Sequence, residues 1–173
     1  MGKSRLAEEL MAQVDRAATV VRGRCLSHGR GITFWPVLEI VRKASGILEE
    51  DSPEIARAKI ATLAKDDAVA QRVAAAVGLS SAEFPVEETF WAVRRLLETM
   101  AAVRPLVVLI EDIHWAESTM LDLIEHVLGS SQRPIVLVCL ARHELLDIRP
   151  GWQDLPASRV VSLEPLSRED AAR

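Results

Sequence analysis

Apolar positions along the chain follow two different periods. Apolar side chains recur every three or four positions in "KSRLAEELMAQVDRA" and again at 86–102, where Phe90, Val93 and Leu97 share one face. This spacing predicts amphipathic helices. Further helices are predicted for "PVLEIVRKASGI", "SPEIARAKIATLA", "AVAQRVAAAVGL" and "ESTMLDLIEHVLG", with Ser52 as an N-cap.

Short apolar runs between these helices predict strands. "PLVVLI" and "PIVLVCLA" contain no polar alternation, which is typical of strands buried on both faces of a parallel sheet. Two shorter strands are predicted at 19–23 and within "SRVVSLEPL" at 158–166, before a last helix that begins in "SREDAAR". Because strands alternate with helices, the sequence predicts an α/β fold with a mainly parallel sheet.

Composition narrows the function classes. The 173 residues suit one domain, and a net charge of −4 argues against a nucleic-acid surface. The N-terminus lacks a signal-peptide pattern, and the apolar runs are too short to span a membrane, so a soluble, cytoplasmic protein is expected. Cys25 and Cys139 form no metal-binding motif and are expected to be buried, reduced thiols.

The first candidate site is Gly2-Lys3-Ser4, which matches the last three positions of the phosphate loop G-x-x-x-x-G-K-[ST]. In that loop the backbone N–H groups and the Lys bind phosphate oxygens, and the hydroxyl holds Mg²⁺. A tripeptide alone also arises by chance. The helix predicted to begin directly after Ser4 favours the phosphate loop.

Two further motifs place charged groups at strand ends. The apolar run before Glu111 and Asp112 resembles a strand that carries one acid to Mg²⁺ and the next to an attacking water, and Glu111 occupies the metal position. Arg142 follows the next apolar strand, where a cation can sense a terminal phosphate. Each motif alone also fits a solvated charge at a strand end.

Together these motifs resemble one family. "GKSRLAEEL", "VVRGRCLSHGRGITFWPVLEIVR", "VLIEDIHWAESTMLDLIEHV" and "LVCLARHELLDIRPGW" are similar to the AAA-type ATPase module of large bacterial signalling proteins. These are STAND-class P-loop NTPases, with an origin-recognition-complex-like AAA domain, of LuxR-type transcriptional regulators and multidomain adenylate/guanylate cyclases. The resemblance covers nearly the whole chain and is most specific in "EDIHWAE" and "GRC…WP".

The resemblance implies a P-loop NTPase fold, an AAA-like three-layer sandwich, as a single domain over 1–173 with a helical insertion at about 36–102. It implies ATP and Mg²⁺ as cofactors. By motif position it assigns Gly2, Lys3 and Ser4 to nucleotide binding, Ser4, Glu111 and Asp112 to the metal, and Glu111, Asp112 and Arg142 to catalysis.

The resemblance also implies a regulatory role in a larger parent protein. ATP binding and slow hydrolysis would act as a switch that signals to effector domains, with an oligomer formed on activation. Two alternatives stay open. One is an oligomeric AAA+ remodelling ATPase that uses Arg133, Arg142 or Arg149 as an arginine finger. The other is a non-catalytic scaffold that has lost nucleotide binding.

The chain departs from the family at its start. The family's loop reads roughly G-E-x-G-[IVM]-G-K-[ST] after a strand of its own, and here that strand and the first five loop positions are absent. We therefore expect an incomplete domain in which Met1 is an internal methionine. The absent strand would lie between "IVLVCLA" and "VVSL", which leaves both without a neighbour. With fewer N–H donors, the chain is expected to bind MgATP poorly or not at all, with any dissociation constant above about 10 μM, and to be weak or inactive as an ATPase.

Overall fold

The computed structural model describes residues 2–27, 33–155 and 158–164. None of the helices in these ranges has the length and apolar character needed to cross a membrane. In chain order the elements are α1 (Lys3–Val14), β1 (Thr19–Arg24), α2 (Trp35–Ser45), α3 (Pro53–Ala64), α4 (Asp67–Ala76), α5 (Val86–Ala101), β2 (Leu106–Glu111), a 3₁₀ turn (Ile113–Trp115), α6 (Ser118–Ser130), β3 (Ile135–Cys139), α7 (Leu145–Ile148) and a second 3₁₀ turn (Pro150–Gln153).

The strands form a parallel three-stranded sheet in the order β1-β2-β3. Thr19 of β1 pairs with Leu106 of β2, which pairs with Ile135 of β3. The first five residues of β2 are all buried, as expected for a strand covered on both faces. The α/β class with a parallel sheet, predicted from the apolar runs, is confirmed.

Helices cover both faces of this sheet. On one face, Ala7 and Met11 of α1 cluster with Val107 and Leu109 of β2. The alternate β2 residues face the other way, into a larger core shared with α2, α3, α4, α5 and α6. Since side chains alternate between the faces of a strand, β2 contributes to both cores and joins three layers into one unit.

Polar caps fix several helix ends. The Ser52 hydroxyl accepts a hydrogen bond from the Ile55 N–H at 3.4 Å, which confirms Ser52 as the N-cap of α3. Asp66 caps α4 in the same way by accepting from the Val69 N–H at 3.1 Å. Gly46 ends α2 with φ = +67°, a conformation that glycine adopts without steric cost.

The strand predicted at 158–166 is wrong for the part that the structure describes. Residues 158–164 form no strand, and the side chains of Val160, Val161 and Leu163 are exposed. A strand forms only beside a hydrogen-bonding neighbour, and none of the described strands pairs with this segment. Residues 165–173, with the predicted last helix, lie outside the described residues.

Gly23 allows close contact between β1 and α2. A Cβ atom at this position would lie 2.4 Å from the carbonyl oxygen of Pro36, closer than atoms in a folded protein approach. Gly129 in α6 differs, because a Cβ there would meet no atom within 4 Å. Gly23 and Gly129 therefore serve as a test position and a matched control for substitution by alanine.

We predict that Gly23→Ala lowers the free energy of unfolding by about 1–3 kcal/mol, because the first turn of α2 must move away from the sheet. Gly129→Ala should raise it by about 0.5–1 kcal/mol, since alanine is the better helix former. Urea denaturation of both variants measures these changes. Equal effects at the two positions would show that the β1–α2 contact is not tight.

Glu98 is a buried carboxylate that ties α5 to the turn before β3. It accepts hydrogen bonds from Arg94 at 2.7 Å, from Arg95 at 3.1 Å and from the Gln132 N–H at 3.0 Å. Burial acts to raise the pKa of Glu98, but the Gln132 N–H and the two guanidinium groups outweigh it, and the net pKa is lowered. The charged form is therefore favoured in the folded chain.

This lowered pKa predicts an acid-dependent stability. A carboxylate with a folded pKa below its unfolded value stabilises the fold above the unfolded pKa of about 4.3 and loses that contribution as pH falls toward the folded pKa. Glu98→Gln should thus be less stable than the parent chain at neutral pH, with the difference shrinking below about pH 4. Denaturation curves between neutral and acid pH test this, with the exposed Glu87→Gln on the same helix as control. A difference that does not change with pH would contradict it.

Candidate functional site

The carboxyl ends of the parallel strands meet at one edge of the sheet, and two of the predicted site residues, Glu111 and Asp112, lie there. β1 ends at Arg24, β2 at Glu111 and β3 at Cys139. The carboxyl edge of such a sheet is where open α/β folds bind ligands. Glu111 and Asp112 lie at this edge, with 20% and 49% of their side chains exposed.

The backbone fixes the direction of Asp112. Its φ of +55° and ψ of +37° are left-handed, an uncommon conformation for a residue with a side chain. The next N–H, of Ile113, donates to the carbonyl of Leu140 at 3.0 Å, and the Leu140 N–H donates to the carbonyl of Ile110 at 2.9 Å. The chain therefore turns sharply at Asp112 and is held against the end of β3.

Arg24 is the residue that the sequence analysis missed. Its Nη2 lies 2.9 Å from Oε2 of Glu111, and its Nε lies 3.8 Å from Oδ2 of Asp112. The hydrogen bond and the charge of Glu111 raise the pKa of Arg24. Arg24 lies opposite Glu111 in the parallel register, and the two are the last residues of β1 and β2. The equal lengths of these two strands were the signal that could have identified Arg24 as a neighbour of Glu111.

Arg142 lies near the same edge with two rings. Its guanidinium carbon is 5.7 Å from the ring centroid of Trp115, whose ring lies 5.0 Å from that of His114. Burial lowers the pKa of His114, and the positive charges of Arg142 and Lys3 lower it further, whereas Asp112 opposes this. Arg142 and His114 thus both lie against the ring of Trp115.

His114 itself is unusual, because both its ring nitrogens are buried without a hydrogen-bond partner among the described residues. Trp115 follows His114 as the last residue of the 3₁₀ turn after β2. It contacts His114 and Arg142 but keeps 45% of its surface exposed.

The start of α1 presents donors toward solvent. Gly2 is the N-cap with no side-chain cap, and Lys3 and Ser4 are exposed in the first turn. The first N–H groups of a helix lack acceptors within the helix, and its dipole favours anions there. Gly2, Lys3 and Ser4 therefore offer N–H groups, one ammonium and one hydroxyl. Their roles stay predictions.

The oxygen atoms of Ser4, Glu111 and Asp112 have the chemistry that Mg²⁺ prefers. Mg²⁺ usually takes one or two carboxylates from the protein and its remaining ligands from phosphate oxygens and water. The described residues contain no group of three or more His, Cys, Asp or Glu placed to hold a metal ion on their own. The donor set therefore fits Mg²⁺ bound together with phosphates.

Arg149 lies outside this group. It forms ion pairs with Asp122 at 2.7 Å and with Glu125 at 3.2 Å, and Glu125 also accepts a hydrogen bond from the indole of Trp152. These contacts hold the segment after β3 against α6. A guanidinium engaged in this way is not free to reach a neighbouring subunit.

The cysteines lie beside the site but not in it. Both are free, Cys25 buried and Cys139 half-buried. Burial raises the pKa of each thiol to about 12. They are therefore protonated at neutral pH and poor nucleophiles.

Comparison with known proteins gives two matches. The family described as AAA ATPase domain matches residues 1–139. Uncharacterized protein R02095 of Rhizobium meliloti (strain 1021) is 27% identical over an alignment of 188 residues, which covers 98% of this chain and 18% of that protein. The chain thus spans less than a fifth of the length of this curated relative. No solved structure matches the chain.

We predict that Arg24→Ala leaves the two adjacent carboxylates without a counter-ion. Because the pair is partly exposed, the free energy of unfolding should fall by no more than about 1 kcal/mol in low-salt buffer. Millimolar MgCl₂ should recover this loss, since the cation binds the freed carboxylates. Thermal unfolding with and without MgCl₂ measures both effects.

Arg22→Ala is the matched control, because Arg22 lies on the same strand and forms no ion pair among the described residues. It should show neither the loss nor the recovery. If the two variants responded alike to MgCl₂, Arg24 would not be balancing Glu111 and Asp112.

Proposed function

Because the chain belongs to the AAA ATPase domain family, we propose that the carboxyl edge of its sheet binds ATP with Mg²⁺ and acts as a regulatory switch. Family membership makes the chain a nucleotide-binding module of the ATPase type. The observation that carries the site is the pair of acids at the carboxyl end of β2, Glu111 and Asp112, with the Arg24 guanidinium 2.9 Å and 3.8 Å from their carboxylates. This edge of the sheet carries both positive and negative side chains. The positive ones suit a polyphosphate, and the negative ones suit its metal ion.

Each residue has a role that follows from its position. Lys3 and the first N–H groups of α1 bind phosphate oxygens, since both are donors at a helix N-terminus. The Ser4 hydroxyl and Glu111 hold Mg²⁺, which when bound neutralises charge on the phosphate oxygens. Asp112 orients and polarises a water, with its carboxylate directed by the left-handed backbone.

Arg142 acts as the sensor of the terminal phosphate. Its guanidinium lies near the exposed ring of Trp115 and makes no ion pair with a described residue, so it is free to turn toward an anion. Movement of Arg142 would also release the ring that it contacts. A change of nucleotide would in this way reach the surface after β2, which is what a switch requires.

The switch is proposed to serve a larger cytoplasmic regulator. The relative from Rhizobium meliloti is more than five times as long as the aligned segment. Further domains in such a protein provide effectors, of the kind found in LuxR-type regulators or multidomain cyclases of the STAND class. Oligomerisation on activation belongs to the same proposal.

One alternative, the oligomeric remodelling ATPase, needs an arginine finger. Arg149 is held by Asp122 and Glu125, which leaves Arg133 and Arg142 as candidates. ATP turnover per molecule that rises with protein concentration would favour this alternative. Turnover independent of concentration favours the switch.

We predict that MgATP raises the midpoint of thermal unfolding of the full chain. A ligand at ten times its dissociation constant adds about 1.4 kcal/mol, which is a shift of about 3–5 °C for a domain of this size. Lys3→Ala should lose most of this shift, because phosphate binding depends on that ammonium. Lys65→Ala, a change of the same kind after α3, should keep it.

Asp112→Asn separates binding from hydrolysis. Asparagine also adopts the left-handed backbone, so the turn should persist and MgATP should still stabilise the chain, while phosphate release stops. If millimolar MgATP left the parent chain's unfolding midpoint unchanged, this chain would have no nucleotide site, and the same result with the five absent loop positions restored would favour the non-catalytic scaffold.

A further inference from the structure

The outer edge of β1 is open. β2 pairs with one side of this strand, and no strand of the described ranges pairs with the other. Thr19 donates to the carbonyl of Pro105, and Cys25 donates to the carbonyl of Glu111. Since alternate residues of a parallel strand bond to the same neighbour, the even-numbered residues of β1 turn their N–H and C=O groups outward.

One of these outward groups already binds a carboxylate. The N–H of Arg24 donates to Oε2 of Glu39, a residue of α2, at 2.6 Å. The equivalent N–H of Arg22 has no such acceptor in the part of the chain that the structure describes. The edge therefore keeps free backbone groups next to the Arg24 N–H, which a carboxylate already binds.

A groove of about 450 Å³ runs along this edge. Residues 22–24 of β1 form one wall, and Arg42, Lys43 and Ile47, at the end of α2, form the other. The groove is open to solvent, and all of its lining residues except Ile47 belong to β1, β2 or α2. Rigid walls of this kind need little rearrangement on binding.

The charge of the groove is opposite to that of the chain. The chain carries a net charge of −4. Within the groove, Arg24 engages both acids, Glu39 through its backbone and Glu111 through its side chain. The remaining cations have no ion pair or side-chain hydrogen bond among the described residues: Arg22, Arg42 and Lys43.

The dipole of α2 accounts only in part for the presence of two of these cations in the groove. Arg42 and Lys43 lie in the last turn of α2, where positive charge interacts well with the helix dipole. Arg22 lies on the strand opposite, where no helix dipole accounts for it. The unpaired cations on both walls give the groove a positive electrostatic potential, which an acidic ligand would neutralise.

We propose that this edge groove is an interaction surface for an acidic protein segment that adds to β1 as a further strand. The backbone groups of Val20 and Arg22 supply the hydrogen bonds, and Arg22, Arg42 and Lys43 select acidic side chains on both faces of the added strand. Strand addition takes its affinity from the main chain and its specificity from alternate side chains. At the end of β1 the Glu39 carboxylate already accepts from the outward N–H of Arg24, so the added strand pairs with Val20 and Arg22.

The test uses the full chain without nucleotide and a fluorescein-labelled octapeptide of alternating Glu and Thr, followed by fluorescence anisotropy. The peptide should bind, and the same peptide with Lys in place of Glu should not. Arg22→Glu and Arg42→Glu should each weaken binding about fivefold or more, since each replaces an attraction by a repulsion. Arg133→Glu, the same charge change before β3, should leave the affinity unchanged.

A second peptide tests strand addition itself. Methylation of alternate backbone nitrogens removes the donors but keeps every charge, and should weaken binding about tenfold. Equal binding of the methylated peptide, or displacement of the parent peptide by inorganic triphosphate at similar concentration, would reveal a general anion site and overturn the proposal. No binding of the acidic peptide would overturn it as well. Since nucleotide is absent throughout, a failure of ATP binding would not affect this test.

Discussion

The rest of the structure depends on the burial of β2 between two parallel neighbours. Its residues from Leu106 to Ile110 are almost wholly removed from water, and both edges of the strand are paired. A strand so placed must be covered on both faces, which requires α1 on one side and the larger helical layer on the other. It must also emerge into solvent at its carboxyl end, where Glu111 and Asp112 follow. The burial of β2 therefore determines both the layered fold and the position of the candidate site.

The carboxyl end of β2 brings two negative charges close together. Two neighbouring carboxylates at the end of a buried strand repel one another, and Arg24 on the adjacent strand offsets this. The left-handed backbone at Asp112 turns the chain, and backbone hydrogen bonds that join Leu140 to Ile113 and Ile110 hold the turn. Arg142 adds positive charge beside Trp115, in the turn that follows Asp112. An arrangement of acids between cations is suited to a metal–polyphosphate ligand, which carries both signs of charge.

The elements that could be predicted are those whose causes are local. The helical spacing of 86–102 and the apolar run of β2 are visible in a few consecutive residues, and both elements formed as expected. The contact between Arg24 and Glu111 joins residues 87 positions apart and depends on strand register, so no local pattern reveals it. The strand predicted at 158–166 had the right composition, but composition does not supply a hydrogen-bonding neighbour. Site residues followed from motifs, whereas their counter-ions followed only from the fold.

We propose that one metal–nucleotide site joins the start of α1 to the carboxyl ends of β2 and β3. Mn²⁺ can replace Mg²⁺ with ATP, and its unpaired electrons broaden the NMR signals of nearby amides. Mn²⁺ and ATP together should broaden the amide signals of Ser4, Asp112 and Arg142, while signals of α3 and α4 keep their widths. Broadening that is the same without ATP, or that centres on residues away from this edge, would contradict it.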